Sequence, residues 1–291
     1  LAVVEPMSTG IGGDAFALFY DARGAPDSRI TALNGSGRAP AALHLAELLN
    51  AGLREIALDS PHSVTVPGTV AAWADLLARH GSMPLSAVLQ PAIEYARDGY
   101  PVSELIAASW QRGEARLGRL PSGTELLPGG RAPRLNEVVR LPELARTLQA
   151  IADGGADAFY RGETGRRIAA FVQQQGGRLD ASDLASHRST WDEPIWTDYR
   201  GLRVWECPPN GQGLAALLAL NLVAGDDLAA LPPAERWHLL IEAMRLAFAD
   251  ARRWVADPRV VDLPLAELLS PAYSAARRRQ IDPLRANLHP R

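Results

Sequence analysis

The stretch EPMSTGIGGDAFALFYD, from Glu5 to Asp21, joins a glycine-rich turn to an apolar run. Gly10, Gly12 and Gly13 are spaced like the glycines of a phosphate-binding loop, but that loop needs a strand before the glycines and a helix after them. Here the residues that follow, DAFALFYD, are apolar and aromatic and favour a strand. We therefore interpret the glycines as a tight turn in which backbone approaches backbone closely, and we predict no bound nucleotide.

The strand after this turn is predicted to form a hairpin. Ala15–Tyr20 supply its first strand and Ile30–Leu33 the returning one, around the turn sequence GAPD at residues 24–27. A short strand is also predicted at Val64–Val66. The strongest β pattern is the double alternation in residues 195–207, which predicts a second hairpin.

Helical periodicity accounts for most of the remaining chain. The predicted helices lie after Pro67-Gly68 up to Gly81, between Pro84 and Gly99 with a kink or break at Pro91, and in residues 141–155, 158–177, 179–187, 214–223 and 233–258. Glycine is predicted to close the helices at Gly155 and at Gly176-Gly177, and an Asp or Ser to cap the start of the short helix in 179–187. Leu126 to Val139 are predicted to form a surface loop. The last helix carries one apolar stripe: Trp237, Leu240, Ile241, Met244 and Phe248.

Composition restricts the class of protein. The chain has 291 residues, 47% of them hydrophobic and 22% charged, and a formal net charge of −3, which indicates a soluble globular protein with a substantial core. The charges are interspersed, so we predict no nucleic-acid partner, which would require a clustered basic face. The short run Arg277–Arg279 is interpreted as the end of a helix, where cations complement the helix dipole.

Metal, disulfide and membrane signatures are missing from the sequence. Cys207 is its only cysteine, so it offers neither an internal disulfide nor a paired-cysteine zinc site. We predict no metal and no cofactor. There is no apolar run long enough to span a bilayer. The sequence opens with LAVVEP and has no initiator methionine, so we expect a trimmed N-terminus and leave the compartment open between cytoplasm and periplasm.

No complete catalytic constellation emerges from residue chemistry alone. Ser36 stands in NGSGRAP with glycines directly beside it, whereas a hydrolase nucleophile elbow places them two residues away. Gly35 and Gly37 are interpreted as permitting a bent backbone. His187 and His238 are interpreted as packing or surface histidines. In the last helix, Asp250 is expected to pair locally with Arg252 or Arg253.

Six stretches taken together resemble one family, the large subunit of gamma-glutamyltranspeptidase. They occur in unbroken order, and the resemblance runs from near the first residue to about Tyr273, so it covers nearly the whole chain. The stretches are VVEPMSTGIGGDAFALFYD, RAPAAL, SVTVPGTVAAWADLLARHGSMPLSAVLQPAIEYARDGYPV, DAFYRGETGRRIA, TDYRGLRVWECPPNGQG and EAMRLAFADARRWVADP.

The resemblance implies an α+β fold, the αββα four-layer sandwich of N-terminal nucleophile hydrolases, with residues 1–291 as a single large-subunit domain trimmed at both ends. It also implies a precursor that cuts itself, so that the new N-terminal threonine of a small subunit becomes the nucleophile. We therefore place no catalytic residue in this chain and do not assign that role to Thr9, Thr31 or Thr69. Gly10, Gly12 and Gly13 would then shape a turn near the substrate pocket.

One position departs from the family pattern. Members that act on glutathione carry an arginine three residues before the Ala-Pro of RAPAAL, where it grips the α-carboxylate of the γ-glutamyl group. Ser36 occupies that slot here, and the nearest arginine is Arg38. In an extended segment the two-residue shift moves the side chain by roughly 6–7 Å. Ser36 and Arg38 are therefore the candidate substrate-binding residues, and Arg38 is expected to bind a carboxylate of the substrate.

The substrate class stays open at this stage. γ-Glutamyl amides such as glutathione are the first candidates. Glutaryl or other acyl amides, the substrates of cephalosporin acylase-like members, are the alternative, because they keep a distal carboxylate but lack the α-amino group. A non-catalytic subunit-binding remnant is the third reading. Without its small subunit the chain is expected to expose strand edges and apolar faces and to be poorly soluble.

Overall fold

The computed structural model describes residues 1–25, 29–121 and 123–290. Its contacts group the chain into two compact units. The first comprises Leu1–Ala15 and Gly35–Thr190, and the second comprises Phe16–Asn34 and Trp191–Arg291. The chain therefore leaves the first unit after its glycine-rich turn and returns to it at Gly35.

The described elements mix helices and short strands. In chain order they are β1 (Ala15–Tyr20), β2 (Ile30–Gly35), α1 (Leu45–Asn50), α2 (Thr69–His80), α3 (Leu85–Asp98), β3 (Tyr100–Pro101), α4 (Glu104–Leu117), β4 (Val138–Val139), α5 (Pro142–Tyr160), α6 (Glu163–Gln174), α7 (Ala181–Ser186), β5 (Thr190–Asp192), β6 (Ile195–Tyr199), β7 (Leu202–Glu206), α8 (Gly213–Val223), α9 (Pro233–Trp254), α10 (Leu265–Leu268) and α11 (Pro271–Arg278).

Both predicted hairpins are confirmed. β1 is hydrogen-bonded to β2, which in turn pairs with β5. β6 and β7 are antiparallel, in register from Ile195↔Glu206 to Tyr199↔Leu202. The connecting residues Arg200 and Gly201 have φ angles of 52° and 82°. Positive φ at both positions is what a tight two-residue hairpin turn requires. In the first hairpin, the predicted turn residues 26 and 27 lie outside the described residues.

Helix ends follow the predicted signals. Gly155, at φ 66°, interrupts α5 where the sequence predicted a glycine stop. Gly176, at φ 86°, follows the end of α6. The N-terminus of α7 is capped by Asp180, whose side chain accepts hydrogen bonds from the backbone N–H groups of Ser182 and Asp183.

One local prediction is wrong and two others hold only in part. Val64–Val66 form no strand; the backbone N–H of Val66 donates a single hydrogen bond to the Arg38 carbonyl, and Pro67 has no N–H with which to extend a ladder. α3 runs from Leu85 to Asp98 with Pro91 inside it, so of the predicted kink or break the break is not found; one missing backbone donor does not end a helix. The predicted loop at Leu126 to Val139 contains a 3₁₀ turn and β4, in which Val139 pairs with Tyr100 of β3.

The core of the first unit forms where α3 packs against α5. Leu89 and Ile93 of α3 and Leu148 and Ile151 of α5 are all buried. Trp110 of α4 is completely buried in the same cluster, and its indole Nε1–H donates to the Leu126 carbonyl at 2.7 Å. A buried indole needs such a partner, so this bond lets the largest side chain of the cluster enter the core.

The core of the second unit forms between α8 and α9. α8 is apolar nearly all round and buries leucines on several sides: Leu214, Leu217, Leu218 and Leu222. α9 is buried only along the face that carries Leu239, Ala243, Leu246, Ala247 and Ala251. Of the apolar stripe predicted on α9, Leu240 packs against the core, whereas Trp237 and Ile241 lie on the other side and are 61% and 54% exposed.

Asp250 does not make the predicted local ion pair. Its carboxylate is buried and binds Arg277 of α11, with Oδ1 3.0 Å from Nη2 and Oδ2 3.1 Å from Nε. The Arg277 guanidinium also donates to Gln280 Oε1 and to the Leu246 carbonyl. Arg277 and Arg278 lie in the last turn of α11, as predicted for the end of a helix.

No helix among the described residues is both long and apolar enough to cross a membrane.

Candidate substrate-binding segment

The glycine-rich turn connects β1 to the start of α2. Gly13 N–H donates to the Gly10 carbonyl at 3.2 Å, which closes the turn. The Gly13 carbonyl accepts three hydrogen bonds, from the backbone N–H groups of Gly68 and Thr69 and from the Thr69 hydroxyl. The first N–H groups of a helix have no intrahelical partner, so this carbonyl satisfies donors at the N-terminus of α2. The Thr69 hydroxyl therefore has a structural role.

The space beside these glycines is open, so steric crowding does not require glycine here, although the Gly13 carbonyl lies against the backbone of Gly68 and Thr69. A Cβ atom built on Gly12 would meet nothing within 4 Å, and one on Gly13 would be in ordinary contact with the Gly10 carbonyl oxygen. The closest approach in this region occurs between residues 35–37 and 66–68. There a Cβ on Gly37 would lie 1.5 Å from the Val66 carbonyl oxygen, and one on Gly68 would lie 1.8 Å from that of Gly35.

Gly35 and Gly37 therefore serve packing rather than a bend. Neither has a φ angle in the left-handed region. The missing side chain of Gly37 lets residues 35–38 lie directly on the backbone of residues 66–68, and the Val66 N–H···Arg38 carbonyl bond of 3.0 Å joins the two segments. A Cβ on Gly35 would lie 2.5 Å from the Ala72 Cβ and 2.7 Å from the Ala15 carbonyl oxygen. Glycine is needed because any Cβ would occupy the position of the neighbouring backbone.

Two aspartates hold the segment from residue 36 to residue 41. Asp14, directly after the glycine-rich turn, accepts a hydrogen bond from Gly37 N–H at Oδ1. Asp183 of α7 accepts one from Ala41 N–H at 3.0 Å, while its other oxygen accepts the N–H of Asp180. The backbone around Arg38 is thus fixed on both sides by carboxylates from distant parts of the sequence.

The electrostatic environment of Asp14 differs from that of a fully hydrated carboxylate. Loss of water around the group raises the pKa of the Asp14 carboxyl, although the residue as a whole is exposed, and the hydrogen bond from Gly37 lowers it by less. Desolvation disfavours the charged form of an acid, which is the direction of this shift.

The two candidate substrate-binding residues have different environments. Ser36 is only 8% exposed, so its hydroxyl lies against protein. Arg38 is exposed, and its guanidinium makes no hydrogen bond or ion pair with any residue that the structure describes. A guanidinium held on a fixed backbone with all its donors free can bind a carboxylate through two parallel hydrogen bonds.

A third support of this region is Tyr160, which the sequence did not single out. Its hydroxyl donates to the Pro67 carbonyl at 2.7 Å and accepts from the Ala71 N–H at 3.1 Å. The Tyr160 ring is buried, and burial raises the pKa of its hydroxyl to about 12. Tyr160 therefore fixes the entry to α2 as a neutral phenol.

The described residues contain no group of three or more His, Cys, Asp or Glu side chains arranged to hold a metal ion. His238 contacts the Asp282 carbonyl through Nε2, and His187 packs against the Tyr160 ring. Asp14, Asp183 and Tyr160 act through hydrogen bonds to backbone groups far away in sequence, and no local pattern could have identified them.

Comparison with solved structures defines the class of protein. The chain is 42% identical to a cephalosporin acylase from Bacillus halodurans, with a TM-score of 0.88 over 97% of this chain and 53% of that one. It is 29% identical to the gamma-glutamyltranspeptidase of Helicobacter pylori, with a TM-score of 0.88 over 99% of this chain and 84% of that one. The predicted α+β fold of the N-terminal nucleophile hydrolases is confirmed.

The family follows from the sequence match. The model of the family described as gamma-glutamyltranspeptidase matches residues 1–290, and the chain belongs to this family. The glutathione hydrolase-like YwrD proenzyme of Bacillus subtilis (strain 168) is 34% identical over 278 residues, which are 94% of this chain and 52% of that protein. The chain thus spans about half the length of the curated relatives it matches.

Proposed function

We propose that this chain is the large-subunit part of an enzyme that transfers or hydrolyses acyl groups at amide bonds, with γ-glutamyl amides such as glutathione as the first substrate class. The observation that carries the proposal is the match of residues 1–290 to the gamma-glutamyltranspeptidase family, together with the proenzyme names of the relatives. Residues 1–291 would act as one large-subunit domain of a self-cleaved precursor, with a small subunit from the same precursor as partner.

The reaction divides into two acyl transfers. The N-terminal threonine of the small subunit attacks the amide carbonyl, its own amine takes the hydroxyl proton, and the amine of the substrate leaves with a proton. The acyl group is then an ester on threonine until water or a second amine attacks the carbonyl and releases the threonine hydroxyl. Neither step needs a metal or an organic cofactor.

This chain contributes carboxylate recognition by Arg38. The guanidinium is exposed and unpaired among the described residues, while Gly37 and Ala41 on either side are held by the carboxylates of Asp14 and Asp183. A fixed backbone lowers the entropy lost when the side chain binds a carboxylate. Ser36 occupies the position where glutathione-hydrolysing members carry arginine. It is buried and would border this site without binding the substrate carboxylate.

A second substrate class is favoured by two observations. Ser36 stands at the position where an arginine would bind the α-carboxylate of a γ-glutamyl group. In addition, the structurally similar protein from Bacillus halodurans is a cephalosporin acylase. Glutaryl-type amides keep a distal carboxylate for Arg38 and need no group that recognises an α-amine. Such amides are the alternative donors for the same acyl-transfer chemistry.

The partner is supported by the exposed face of β1. Phe16, Leu18 and Tyr20 point to one side of this strand and are 40%, 40% and 58% exposed, while the alternate residues are partly buried on the other side. A strand with apolar residues on both faces is typical of a sheet covered on both sides. The small subunit would cover the face of β1 that carries Phe16, Leu18 and Tyr20.

The test is an activity panel on the complete precursor. Intact mass reports self-cleavage, and turnover of γ-glutamyl and glutaryl anilides reports the donor class. A precursor that neither cleaves itself nor turns over either anilide would support the non-catalytic reading and reject this proposal.

The role of Arg38 is tested by Arg38→Ala, with Arg54→Ala as the control, since Arg54 is an exposed arginine outside the segment. We expect the Michaelis constant of the preferred donor to rise about tenfold or more in Arg38→Ala, to rise less in Arg38→Lys and to stay unchanged in the control. An unchanged Michaelis constant in Arg38→Ala would reject the role.

A further inference from the structure

A cavity of about 420 Å³ lies beside the glycine-rich turn, and all the residues that line it belong to the first unit. Thr9, Gly10 and Ile11 of the turn form part of one wall. The 3₁₀ turn Gly123–Leu126 and the start of α5 form the others. The volume falls in the range of small-molecule sites, roughly 300–1,000 Å³, so the cavity is large enough for a ligand of metabolite size.

One wall of the cavity is apolar and firmly held. Leu141 is 8% exposed and belongs to the core of the first unit, against which Leu126 and Leu144 also pack. The backbone N–H of Leu141 donates to the Ala96 carbonyl at 2.8 Å, and the Leu126 carbonyl accepts the indole N–H of Trp110 at 2.7 Å. Because these bonds hold the wall in place, an aliphatic group of a ligand would meet a preformed apolar surface and lose water there.

Two exposed side chains of opposite charge also line the cavity: Glu125 and Arg140. They make no ion pair with each other, and neither side chain makes a hydrogen bond or an ion pair with any residue that the structure describes. A guanidinium can bind a carboxylate through two parallel hydrogen bonds, and a carboxylate accepts from an ammonium group in the same charge-assisted way. The cavity thus offers one site for an anionic group and one for a cationic group.

The other charged groups near the cavity are already paired. Glu143 lines the cavity and forms an ion pair with Arg146 one turn further along α5. Asp98 lies within electrostatic range of Arg140, but both of its oxygens accept hydrogen bonds from Arg97. In the described part of the chain, the opposite charges that the cavity leaves for a ligand are therefore those of the glutamate in the 3₁₀ turn and the arginine before α5.

We propose that the cavity is a binding site for a free α-amino acid with an aliphatic side chain. Arg140 binds its carboxylate, Glu125 binds its ammonium group, and the leucine wall contacts its side chain. An aliphatic amino acid carries these three groups on one carbon atom, whereas a fatty acid lacks the ammonium group and an alkyl amine lacks the carboxylate. The inference goes beyond the proposed function and does not depend on it.

Isothermal titration calorimetry on the complete precursor tests the class of ligand, with L-leucine as the probe. N-acetyl-L-leucine lacks the ammonium charge, L-leucinamide lacks the carboxylate, and glycine lacks the side chain. We expect leucine to bind saturably and each of the three analogues to bind at least about tenfold more weakly, because each loses one of the three contacts. Absence of saturable leucine binding, or equally tight binding of any analogue, would overturn the proposal.

Two substitutions locate the bound amino acid. Arg140→Ala and Glu125→Gln each remove one charge from the cavity, and the matched controls Arg119→Ala and Glu55→Gln change exposed residues that do not line it. We expect the dissociation constant for leucine to rise about tenfold or more in each cavity variant and to stay unchanged in the controls. An unchanged constant in either cavity variant would contradict the proposal, because the amino acid would then bind elsewhere.

The four substituted residues are all exposed, so the variants are expected to fold like the wild type, and thermal unfolding checks this. The titrations need no turnover of an acyl donor. Failure of the amino-acid site is thereby distinguishable from failure of the proposed function.

Discussion

The Oδ1 atom of Asp14 accepts a hydrogen bond from the backbone N–H of Gly37 at 3.0 Å, across 23 residues of sequence. This contact joins the end of the glycine-rich turn to the segment that carries Arg38. It makes Asp14 a positioning residue for the proposed carboxylate site, and its effect is testable apart from that of Arg38.

We expect Asp14→Ala to lower the stability of the precursor by about 1 kcal/mol, the net value of a typical hydrogen bond, and to raise the Michaelis constant for the anilide substrate. Asp14→Asn keeps an oxygen acceptor and is expected to retain most of both. Thermal unfolding and steady-state kinetics measure the two effects. Equal Michaelis constants in the wild type and Asp14→Ala would argue against a positioning role.

The Asp14 carboxyl also makes the stability of the protein depend on pH, and Asp14→Asn tests this. The pKa of the Asp14 carboxyl is raised above 3.8 in the folded protein, so the native state binds its proton more tightly than the unfolded state. The contribution of this group to stability is therefore largest in acid and falls as pH rises through the window above 3.8. In Asp14→Asn this decrease should disappear from a series of unfolding curves at increasing pH.

Gly37 and Gly12 form a matched pair for substitution by alanine. At Gly37 the new Cβ would lie 1.5 Å from the Val66 carbonyl oxygen, whereas at Gly12 it would meet nothing within 4 Å. We expect Gly37→Ala to cost on the order of 3 kcal/mol or more, because backbone must separate from backbone. Gly12→Ala should unfold at nearly the wild-type temperature. Comparable losses of thermal stability would show that the described packing is wrong.

Tyr160→Phe removes a hydroxyl that satisfies two backbone groups at the entry to α2. The Pro67 carbonyl and the Ala71 N–H would lose their partner, and we expect a cost of about 1–3 kcal/mol in the free energy of unfolding. Tyr95→Phe is the control, since Tyr95 is 54% exposed. A Tyr160→Phe variant as stable as Tyr95→Phe would exclude this bridging role.

The same tyrosine predicts a change at alkaline pH. Its pKa rises from 10.0 to about 12 on folding, so the native state disfavours the phenolate. The contribution of Tyr160 to stability is constant below pH 10 and falls as pH rises from 10 toward 12. Over that interval, the wild type should lose stability more steeply than Tyr160→Phe.

The pair of Asp250 and Arg277 tests a buried contact between α9 and α11. Both side chains are almost fully buried, and removing one partner leaves the other charge without compensation. We expect Asp250→Ala to cost about 3–5 kcal/mol. Arg278→Ala, which breaks the more exposed pair with Asp226, should cost about 1 kcal/mol or less. Denaturant unfolding measures both values, and similar costs would contradict the difference in burial.

Much of the fold was predictable because it depends on near neighbours in the sequence. The alternation in residues 195–207, the glycine stop at Gly155 and the cap at Asp180 each act within a few residues, and all three are found in the structure. The family resemblance was also a property of the sequence, since six stretches occur in a fixed order.

Only the tertiary structure decided which groups meet. The hydrogen bond from Ala41 to Asp183 spans 142 residues and that from Arg277 to Asp250 spans 27, and no local period encodes either partner. The same holds for the glycines. Sequence alone assigned close backbone approach to Gly12 and a bend to Gly37, but the steric contact, with Val66, exists at Gly37, because steric exclusion depends on which backbone the folded chain brings alongside.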